Sequence, residues 1–367
     1  MSSYPRITIN NLAARLDFHY DTKSPLMIWG APGSGKSQTF EQWAKAKAES
    51  LSLAFNDTRR DDFVMIDPAK TFALVDLRGS GLDPLDVRGG LHLNEQTRTL
   101  ETFMNECLPN AEKMGHFGAI IFDELPECDP SILKPISNII WDRACGPFVM
   151  PDGWGIFAAG NEPGQGSSAK RLPSQLNNRM GHVGVDPEPV VWAAHLKDVG
   201  GYLPLGYFVS GRPEIINTWA SKDDVSFSTP RSLMAVSDVY QKVDDPDLRA
   251  SLAAGYIGEG IVAEFEGFLT LINSGRMATW SDIQSRPFEA PIGQPGEDHG
   301  ISLIYAAISN IQHHVKTKAD MPAVMQYISR MPKEFQNVMM LCIMDKDKGL
   351  MDCEEVNQWR SNNPGAV

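Results

Sequence analysis

One glycine-rich segment contains the residue types needed to hold a chain of phosphates. It directly follows the apolar run Leu26–Trp29 and fits the pattern G-x-x-x-x-G-K-[ST] at every fixed position. Its residues are Gly30, Ala31, Pro32, Gly33, Ser34, Gly35, Lys36 and Ser37. Glycines let the backbone turn its N–H groups toward phosphate oxygens, where a side chain would intrude. The alternative is a glycine-rich turn that happens to precede a helix, and this alternative does not explain the fixed Lys-Ser ending.

The last two residues of this segment have separate predicted tasks. The Lys36 ammonium would contact the β- and γ-phosphates, and the Ser37 hydroxyl would bind Mg²⁺. A helix predicted from about Gln38 to Ala48 would add its positive N-terminal dipole, and Gln38 is a further predicted cofactor-binding residue. The guanine-binding pattern Asn-Lys-x-Asp does not occur in the sequence. We therefore expect ATP and Mg²⁺ as the cofactors.

Two carboxylates follow a second apolar run, Ala119–Phe122. Asp123 and Glu124 would lie at the carboxyl edge of a parallel sheet, where ligands bind in α/β folds. Asp123 is predicted to hold Mg²⁺ through water, and Glu124 to orient and polarise the water that attacks the γ-phosphate. A solvated strand end is the alternative, which the glycine-rich segment upstream disfavours. Glu127 and Asp129 are assigned to a solvated turn before a helix that begins near Pro130.

Strand-like and helical segments alternate up to about residue 186, and these elements would position the site. The predicted strands are Pro25–Trp29, Phe72–Asp76, Ala119–Asp123, Gly155–Ala159 and His182–Val185. The alternation predicts an α/β fold, a P-loop NTPase αβα sandwich with a five-stranded parallel sheet. Beyond it, apolar residues recur at helical spacing, as in Ile301–Val315, and predict an all-helical part.

Three domains are expected along the chain. Residues 1–187 would form the nucleotide-binding αβα domain, and residues 188–285 a helical lid. Residues 286–367 would form a C-terminal helical extension. The Gly/Pro-rich interval from Arg286 to Gly296 is the predicted linker between the last two domains.

The composition excludes several classes of protein. Of 367 residues, 46 are acidic and 33 basic, and the net charge of −13 would repel nucleic-acid phosphates. Hydrophobic residues make up 42%, yet none of their runs approaches the ~18 residues that span a bilayer. The N-terminus has no secretory pattern, so a cytoplasmic protein is expected. The five cysteines show no C-x-x-C spacing and are predicted to be reduced thiols.

With these motifs in place, the chain resembles the AAA+ ATPases, and more particularly their MoxR-like branch, over roughly residues 6–275. Phe157–Pro163 is similar to the sensor-1 strand of that family. The resemblance implies that Asn161 contacts the γ-phosphate and the attacking water, and an amide suits this role because it both donates and accepts hydrogen bonds. An isolated Gly-Asn is otherwise an ordinary turn.

The segment Leu172–Met180 resembles the family segment that ends in an arginine finger presented to the neighbouring subunit. The resemblance implies that Arg179 is the finger, and Arg171 is a weaker rival. A guanidinium stays charged and can span two phosphate oxygens, which stabilises charge that grows in the transition state. Without the resemblance, each residue is simply a surface arginine.

The segment Phe227–Ser232 resembles the sensor-2 element at the start of a lid helix. Thr229 would cap the helix and Pro230 would lie in its first turn. The resemblance implies that Arg231 faces the nucleotide and couples hydrolysis to rotation of the lid. The alternative is a plain helix start.

Two further segments resemble features of the MoxR-like branch. Asp83–Gly90 is similar to the segment leading into the helix-2 insertion, and Phe148–Trp154 is similar to the hairpin turn before sensor 1. Both would point toward the pore or axial face of a ring and are candidate partner surfaces. Their Pro, Gly and Asp residues equally suit any tight loop. Residues after about 290 resemble no family feature.

Taken with the motifs, the resemblance implies an Mg²⁺-dependent ATPase that forms a homo-oligomeric ring, expected to be a hexamer. Such a ring would remodel or activate a protein client, with a von Willebrand A-domain protein as a further expected partner. Two other functions stay open: an ATP-dependent interaction switch with low basal turnover, and a DNA-acting NTPase, which the acidic charge disfavours. A small-molecule kinase would leave Arg179 and the helical part unexplained.

Overall fold

The computed structural model describes residues 4–60, 67–162, 169–219 and 225–363. The chain divides into two compact units. The first contains Met1–Pro187 and Trp219–Val225, and the second contains Glu188–Thr218 and Ser226–Val367. A separate boundary near residue 286 stays a prediction.

Eleven strands are present in the described part of the first unit. They are β1 (Arg6–Thr8), β2 (Leu26–Trp29), β3 (Ala54–Asp57), β4 (Thr71–Arg78), β5 (Gly90–Asn94), β6 (Thr99–Phe103), β7 (Phe117–Asp123), β8 (Ala144–Cys145), β9 (Phe148–Val149), β10 (Gly153–Gly160) and β11 (Gly181–Asp186). The central sheet is parallel, in the order β1-β11-β2-β10-β7-β4-β3. β5 pairs with β6, and β8 with β9, as antiparallel hairpins.

The five predicted strands are all confirmed, but the prediction of a five-stranded sheet is wrong by two strands. β1 and β3 extend the sheet to seven strands within the described residues. Both are short edge strands that are partly exposed. Because an edge strand of this kind carries no continuous apolar run, it gives no sequence signal of the type that marks a buried parallel strand.

Six helices belong to the described part of the first unit. They are α1 (Leu12–Asp21), α2 (Lys36–Ser50), α3 (Pro84–Arg88), α4 (Ala111–Met114), α5 (Pro130–Asp142) and α6 (Ser174–Asn177). α2 begins two residues earlier than predicted, and α5 begins at Pro130 with the Asp129 side chain accepting from the Ser131 amide. The start of α5 is therefore confirmed.

Helices cover both faces of the sheet, which makes the first unit an αβα sandwich. On one face, Phe40 and Trp43 of α2 pack with alternate strand residues such as Leu74 and Ile121. On the other face, the α5 isoleucines pack with the intervening strand residues, among them Val75. Cys128 and Cys145 are buried thiols.

One close approach inside the sheet gives a stability prediction. A Cβ atom built on Gly118 of β7 would lie 2.5 Å from the Ala73 carbonyl oxygen and 2.8 Å from the Trp154 ring. We expect Gly118→Ala to lower the free energy of unfolding by about 1–3 kcal/mol, because well-packed interiors resist added atoms. Thermal denaturation measures the loss. Gly90→Ala is the control, since nothing lies within 4 Å of its new Cβ, and equal melting of both variants would contradict the prediction.

The described part of the second unit is helical, as predicted. Its helices are α7 (Pro189–Asp198), α8 (Leu203–Gly211), α9 (Pro230–Lys242), α10 (Pro246–Ile257), α11 (Glu259–Leu271), α12 (Trp280–Ser285), α13 (Gly300–His314), α14 (Met321–Ile328), α15 (Lys333–Lys346) and α16 (Glu354–Asn362). One apolar cluster includes Phe208 and Phe265, and another includes Ile308, Tyr327 and Trp359. No helix in the described part of the chain is both long and apolar enough to cross a bilayer.

The Gly/Pro-rich interval lies between α12 and α13 and packs on the helices that follow it. Arg330 Nη1 donates to the carbonyl oxygens of Pro287 and Ala290, and the Tyr327 hydroxyl donates to that of Pro291. Ala290 is buried. The interval is therefore bound along part of its length to α14 and the residues just after it.

Candidate nucleotide site

The glycine-rich segment forms the loop between β2 and α2. Gly33 and Gly35 have φ angles of 69° and 90°, a backbone region that favours glycine. Gly35 is the N-cap of the 15-residue helix α2, and no described side chain caps that end by a hydrogen bond. The first amides of α2 and its positive dipole end therefore suit an anion.

The Lys36 ammonium lies inside this loop. Only 7% of the residue is exposed, and Nζ donates to the carbonyl oxygens of Gly30 and Ala31 at 2.9 Å each. A Cβ on Gly30 would come within 2.9 Å of the Val185 carbonyl oxygen. The buried Ser34 hydroxyl has no hydrogen-bond partner among the described residues. A buried cation beside an unsatisfied hydroxyl and a helix N-terminus fits a phosphate chain.

Ser37 and Asp123 meet across the sheet edge, as their predicted shared task requires. Ser37 Oγ donates to Asp123 Oδ2 at 2.7 Å. These hard oxygen donors fit Mg²⁺, which keeps several waters and takes few protein ligands at nucleotide sites. The described residues contain no cluster of three or more His, Cys, Asp or Glu side chains suited to a metal. Ser37 and Asp123 could hold Mg²⁺ together with phosphate oxygens.

Glu124 follows Asp123 in an unusual backbone conformation. Its φ is 56°, and its amide donates to Asp123 Oδ1 at 2.9 Å. The Ser80 hydroxyl donates to Glu124 Oε2 from the turn after β4. Sequence analysis missed Ser80, whose only signal is its place beyond the end of a buried strand. The structure shows a carboxylate at the sheet edge that accepts a hydrogen bond from Ser80 and follows a backbone amide bonded to Asp123.

Asn161 lies just beyond β10, between the strands that carry the glycine-rich loop and the acidic pair. Its Nδ2 donates to Glu127 Oε1 at 2.8 Å. Glu127 lies in the predicted turn before α5, but its half-buried side chain bonds to the Asn161 amide instead of being fully solvated. Both Asn161 and Glu127 were considered in the sequence analysis. Their contact depends on the packing of the turn against β10, which the sequence does not show. Pro163, the end of the predicted sensor segment, lies outside the described residues.

Two residues near the N-terminus contact Glu162, the residue after Asn161. Arg6 of β1 contacts the carboxylates of Glu162 and Asp186, and the Tyr4 hydroxyl donates to Glu162 Oε1 at 3.1 Å. Burial and the Glu162 charge raise the pKa of Tyr4 well above its ordinary value. Glu162, the last described residue after β10, is thus bonded to residues at the β1 edge of the sheet.

Further carboxylates lie on the strands beyond β7. Arg59 donates to both oxygens of Asp57, at 2.8 and 2.7 Å, and to Glu41 of α2 at 2.7 Å. These hydrogen bonds hold the pKa of Asp57 below its usual range. Burial, reinforced by the negative charge of Asp123, instead raises the pKa of Asp76. The sequence predicted no site role for Arg59, Asp57, Glu41 or Asp76.

Arg179 contacts helix α5 of its own chain. Its guanidinium carbon is 4.9 Å from the centre of the Trp141 ring, and Nη1 donates to Ser137 Oγ at 3.2 Å. Arg179 is half-buried, whereas its rival Arg171 is exposed. The structure does not bring Arg179 to this chain's own glycine-rich loop by any described contact, and a role in a neighbouring subunit's site stays a prediction.

Arg231 lies in the first turn of α9, in the second unit, and is exposed. Thr229 caps this helix: its hydroxyl accepts from the Ser232 amide, and the Ser232 hydroxyl accepts from the Thr229 amide. The predicted cap and the Pro230 first turn are present. The contact of Arg231 with nucleotide stays a prediction.

The two candidate partner segments both adjoin hairpins. Asp83–Gly90 contains α3 and is followed by the β5–β6 hairpin, and Phe148–Trp154 joins the β8–β9 hairpin to β10. Leu91, Leu93 and Leu100 of the first hairpin are more than half exposed. Their role in contacting a partner stays a prediction.

Comparisons with known proteins give likenesses to solved structures only. No protein-family model and no curated protein sequence matches this chain. A presumed ATPase from Cytophaga hutchinsonii is 12% identical, over 91% of this chain and 80% of that one, with a TM-score of 0.33. A point mutant of Thermotoga maritima RuvB is 15% identical, over 83% of each chain, with a TM-score of 0.37. NtrX from Brucella abortus is 14% identical, over 67% of this chain and 50% of its own, with a TM-score of 0.33.

These likenesses are too distant to carry an argument about function. The strand order, the glycine-rich loop after β2 and the Asn161 strand between the loop strand and the acidic strand decide the fold. The first unit is a P-loop NTPase αβα sandwich. In this domain, the structure brings Ser37, Asp123, Glu124 and Asn161 to the carboxyl ends of three adjacent strands and the helix after them.

Proposed function

We propose that the chain is an Mg²⁺-dependent ATPase of the MoxR-like AAA+ branch. The Ser37–Asp123 contact at 2.7 Å, beside a buried Lys36, supports this proposal most directly. It unites the two predicted nucleotide motifs, which are separated along the chain, at one sheet edge. If either motif were a chance turn, there would be no reason for the two motifs to meet.

The proposed division of tasks follows from these positions. Lys36 and the first amides of α2 bind the phosphates, while Ser37 and Asp123 hold Mg²⁺. When bound, Mg²⁺ neutralises charge that develops on the phosphates. Glu124 accepts a proton from the attacking water, and Asn161 orients that water against the γ-phosphate.

We further propose a homo-oligomeric ring, a hexamer, in which Arg179 completes a neighbour's site and Arg231 links the nucleotide to the helical unit. The ring would remodel or activate a protein client, with a von Willebrand A-domain protein as an adaptor. These proposals rest on the resemblance of the sequence. The exposed hairpin leucines add support for a partner surface.

A second candidate function is an ATP-dependent interaction switch with low basal turnover. The Ser80–Glu124 hydrogen bond favours it, because the proposed general base is already engaged. Phosphate release measured with and without candidate clients distinguishes the two functions: turnover that stays low on addition of clients supports the switch.

Removal of the Lys36 ammonium tests the core of the proposal. We expect Lys36→Ala to weaken ATP binding about 10–100-fold, since a charge-assisted hydrogen bond contributes ~1.5–3 kcal/mol. Titration with a fluorescent ATP analogue measures the affinity. Lys45→Ala on the same helix is the matched control, because that ammonium is half-exposed and pairs with Glu41. Equal affinity for the analogue in both variants would contradict the assignment of phosphate binding to this loop.

A further inference from the structure

The Asp76 carboxylate lies beside the proposed magnesium pair. In the parallel pairing of β4 with β7, Asp76 is opposite Ile121, and Arg78 is opposite Asp123. Side chains alternate between the faces of a sheet, so Asp76 and Asp123 share a face. That face is the one covered by α2, the helix that carries Ser37.

One oxygen of Asp76 is buried without a hydrogen bond. The side chain is 5% exposed, and Oδ1 has no partner among the described residues. The charged groups that act on Asp76 are Arg59, Arg78 and Asp123, and the negative Asp123 opposes ionisation. An unsatisfied buried carboxylate oxygen is costly unless a donor or cation reaches it.

Arg59 does not satisfy this need. Its only bond to Asp76 is from Nη1 to the other oxygen, Oδ2, at 3.3 Å. The shorter Arg59 bonds go to Asp57 and Glu41. Asp57 is also a buried strand-end carboxylate, but both its oxygens are bonded. Asp76 therefore differs from Asp57 in having one buried oxygen without a hydrogen bond.

We propose that Asp76 is a second carboxylate of the magnesium site. Its Oδ1 accepts a hydrogen bond from a water in the hydration shell of Mg²⁺ held by Ser37 and Asp123. The inference rests on the proposed function and deepens it. Mg²⁺ gives up its waters reluctantly, so a further carboxylate on the same face of the sheet acts through water. Asp76 is thus a positioning residue for the ion rather than a group that touches the nucleotide.

The test separates metal binding from nucleotide binding. A fluorescent AMP-PNP analogue is titrated into wild type, Asp76→Asn and Asp57→Asn, first in excess EDTA and then over a series of free Mg²⁺ concentrations. We expect Asp76→Asn to raise the Mg²⁺ concentration for half-maximal tightening about 10–100-fold, as loss of an outer-shell partner does. Its affinity in EDTA should match wild type. Asp57→Asn should keep the wild-type Mg²⁺ requirement.

Each other outcome has a defined meaning. An unchanged Mg²⁺ requirement in Asp76→Asn, or an equal shift in Asp57→Asn, would overturn the inference and leave Asp76 as an anchor for Arg59. Wild type that binds the analogue without any Mg²⁺ effect would instead overturn the proposed function. If Asp76→Asn does not fold, Asp76→Glu replaces it. That variant keeps the charge but displaces the oxygens by one carbon, and an unchanged requirement there would also overturn the inference.

Discussion

Replacement of Glu124 by glutamine is expected to leave ATP bound while hydrolysis falls about 10²–10⁴-fold, the contribution typical of a positioned general base. Glutamine has the same shape and can still accept the Ser80 hydrogen bond that Glu124 accepts. It cannot take a proton from water at neutral pH. Phosphate release gives the rate, and a fluorescent ATP analogue gives the affinity.

The control for this variant is Glu112→Gln on α4, whose side chain is 83% exposed. It should hydrolyse ATP at the wild-type rate. Normal turnover in Glu124→Gln would remove this residue from the proposed role. If the variant behaves as expected, native mass spectrometry with Mg²⁺ and ATP counts the subunits of the trapped state. A persistent monomer would contradict the proposed ring.

Removal of the Arg179 guanidinium is expected to lower the hydrolysis rate about 10³–10⁵-fold, the effect of losing an arginine finger. The affinity for ATP should change little, because the finger stabilises charge that develops only in the transition state. Arg179→Lys should also be impaired, since an ammonium cannot span two phosphate oxygens. Arg171→Ala decides between the two candidate arginines: a larger loss there would reverse the assignment.

A mixing experiment tests whether Arg179 acts on a neighbouring subunit. Lys36→Ala and Arg179→Ala would each be inactive when assembled alone. In mixed rings, a Lys36→Ala subunit can present its intact Arg179 to the intact loop of an Arg179→Ala subunit. Activity that returns on mixing supports sites shared between neighbours, and activity that stays absent contradicts them.

The parts of the fold that follow from local patterns could be predicted from the sequence. The five buried strands are continuous apolar runs, and the loop before α2 has fixed residue types. The start of α5 at Pro130 is likewise encoded by a capping Asp129 and a proline in the first turn. Each of these features depends on neighbours in the chain, so the sequence alone identifies them.

Features that depend on packing could not be predicted in this way. The edge strands β1 and β3 exist because their neighbours offer a free edge, and their own residues are mostly exposed or half-buried. Ser80 reaches Glu124, and Glu127 reaches Asn161, across segments separated by 44 and 34 residues. Serine and glutamate are too common for either residue to be noticed without the strand register that aligns them.

The indole beneath Arg179 gives the proposed finger an optical reporter. Trp141 is 58% exposed, and the guanidinium carbon lies 4.9 Å from its ring centre. An indole loses or gains fluorescence when a cation leaves its face, so movement of Arg179 toward a phosphate would register in the emission of Trp141. The chain has eight tryptophans, and the difference between wild type and Trp141→Phe isolates this one.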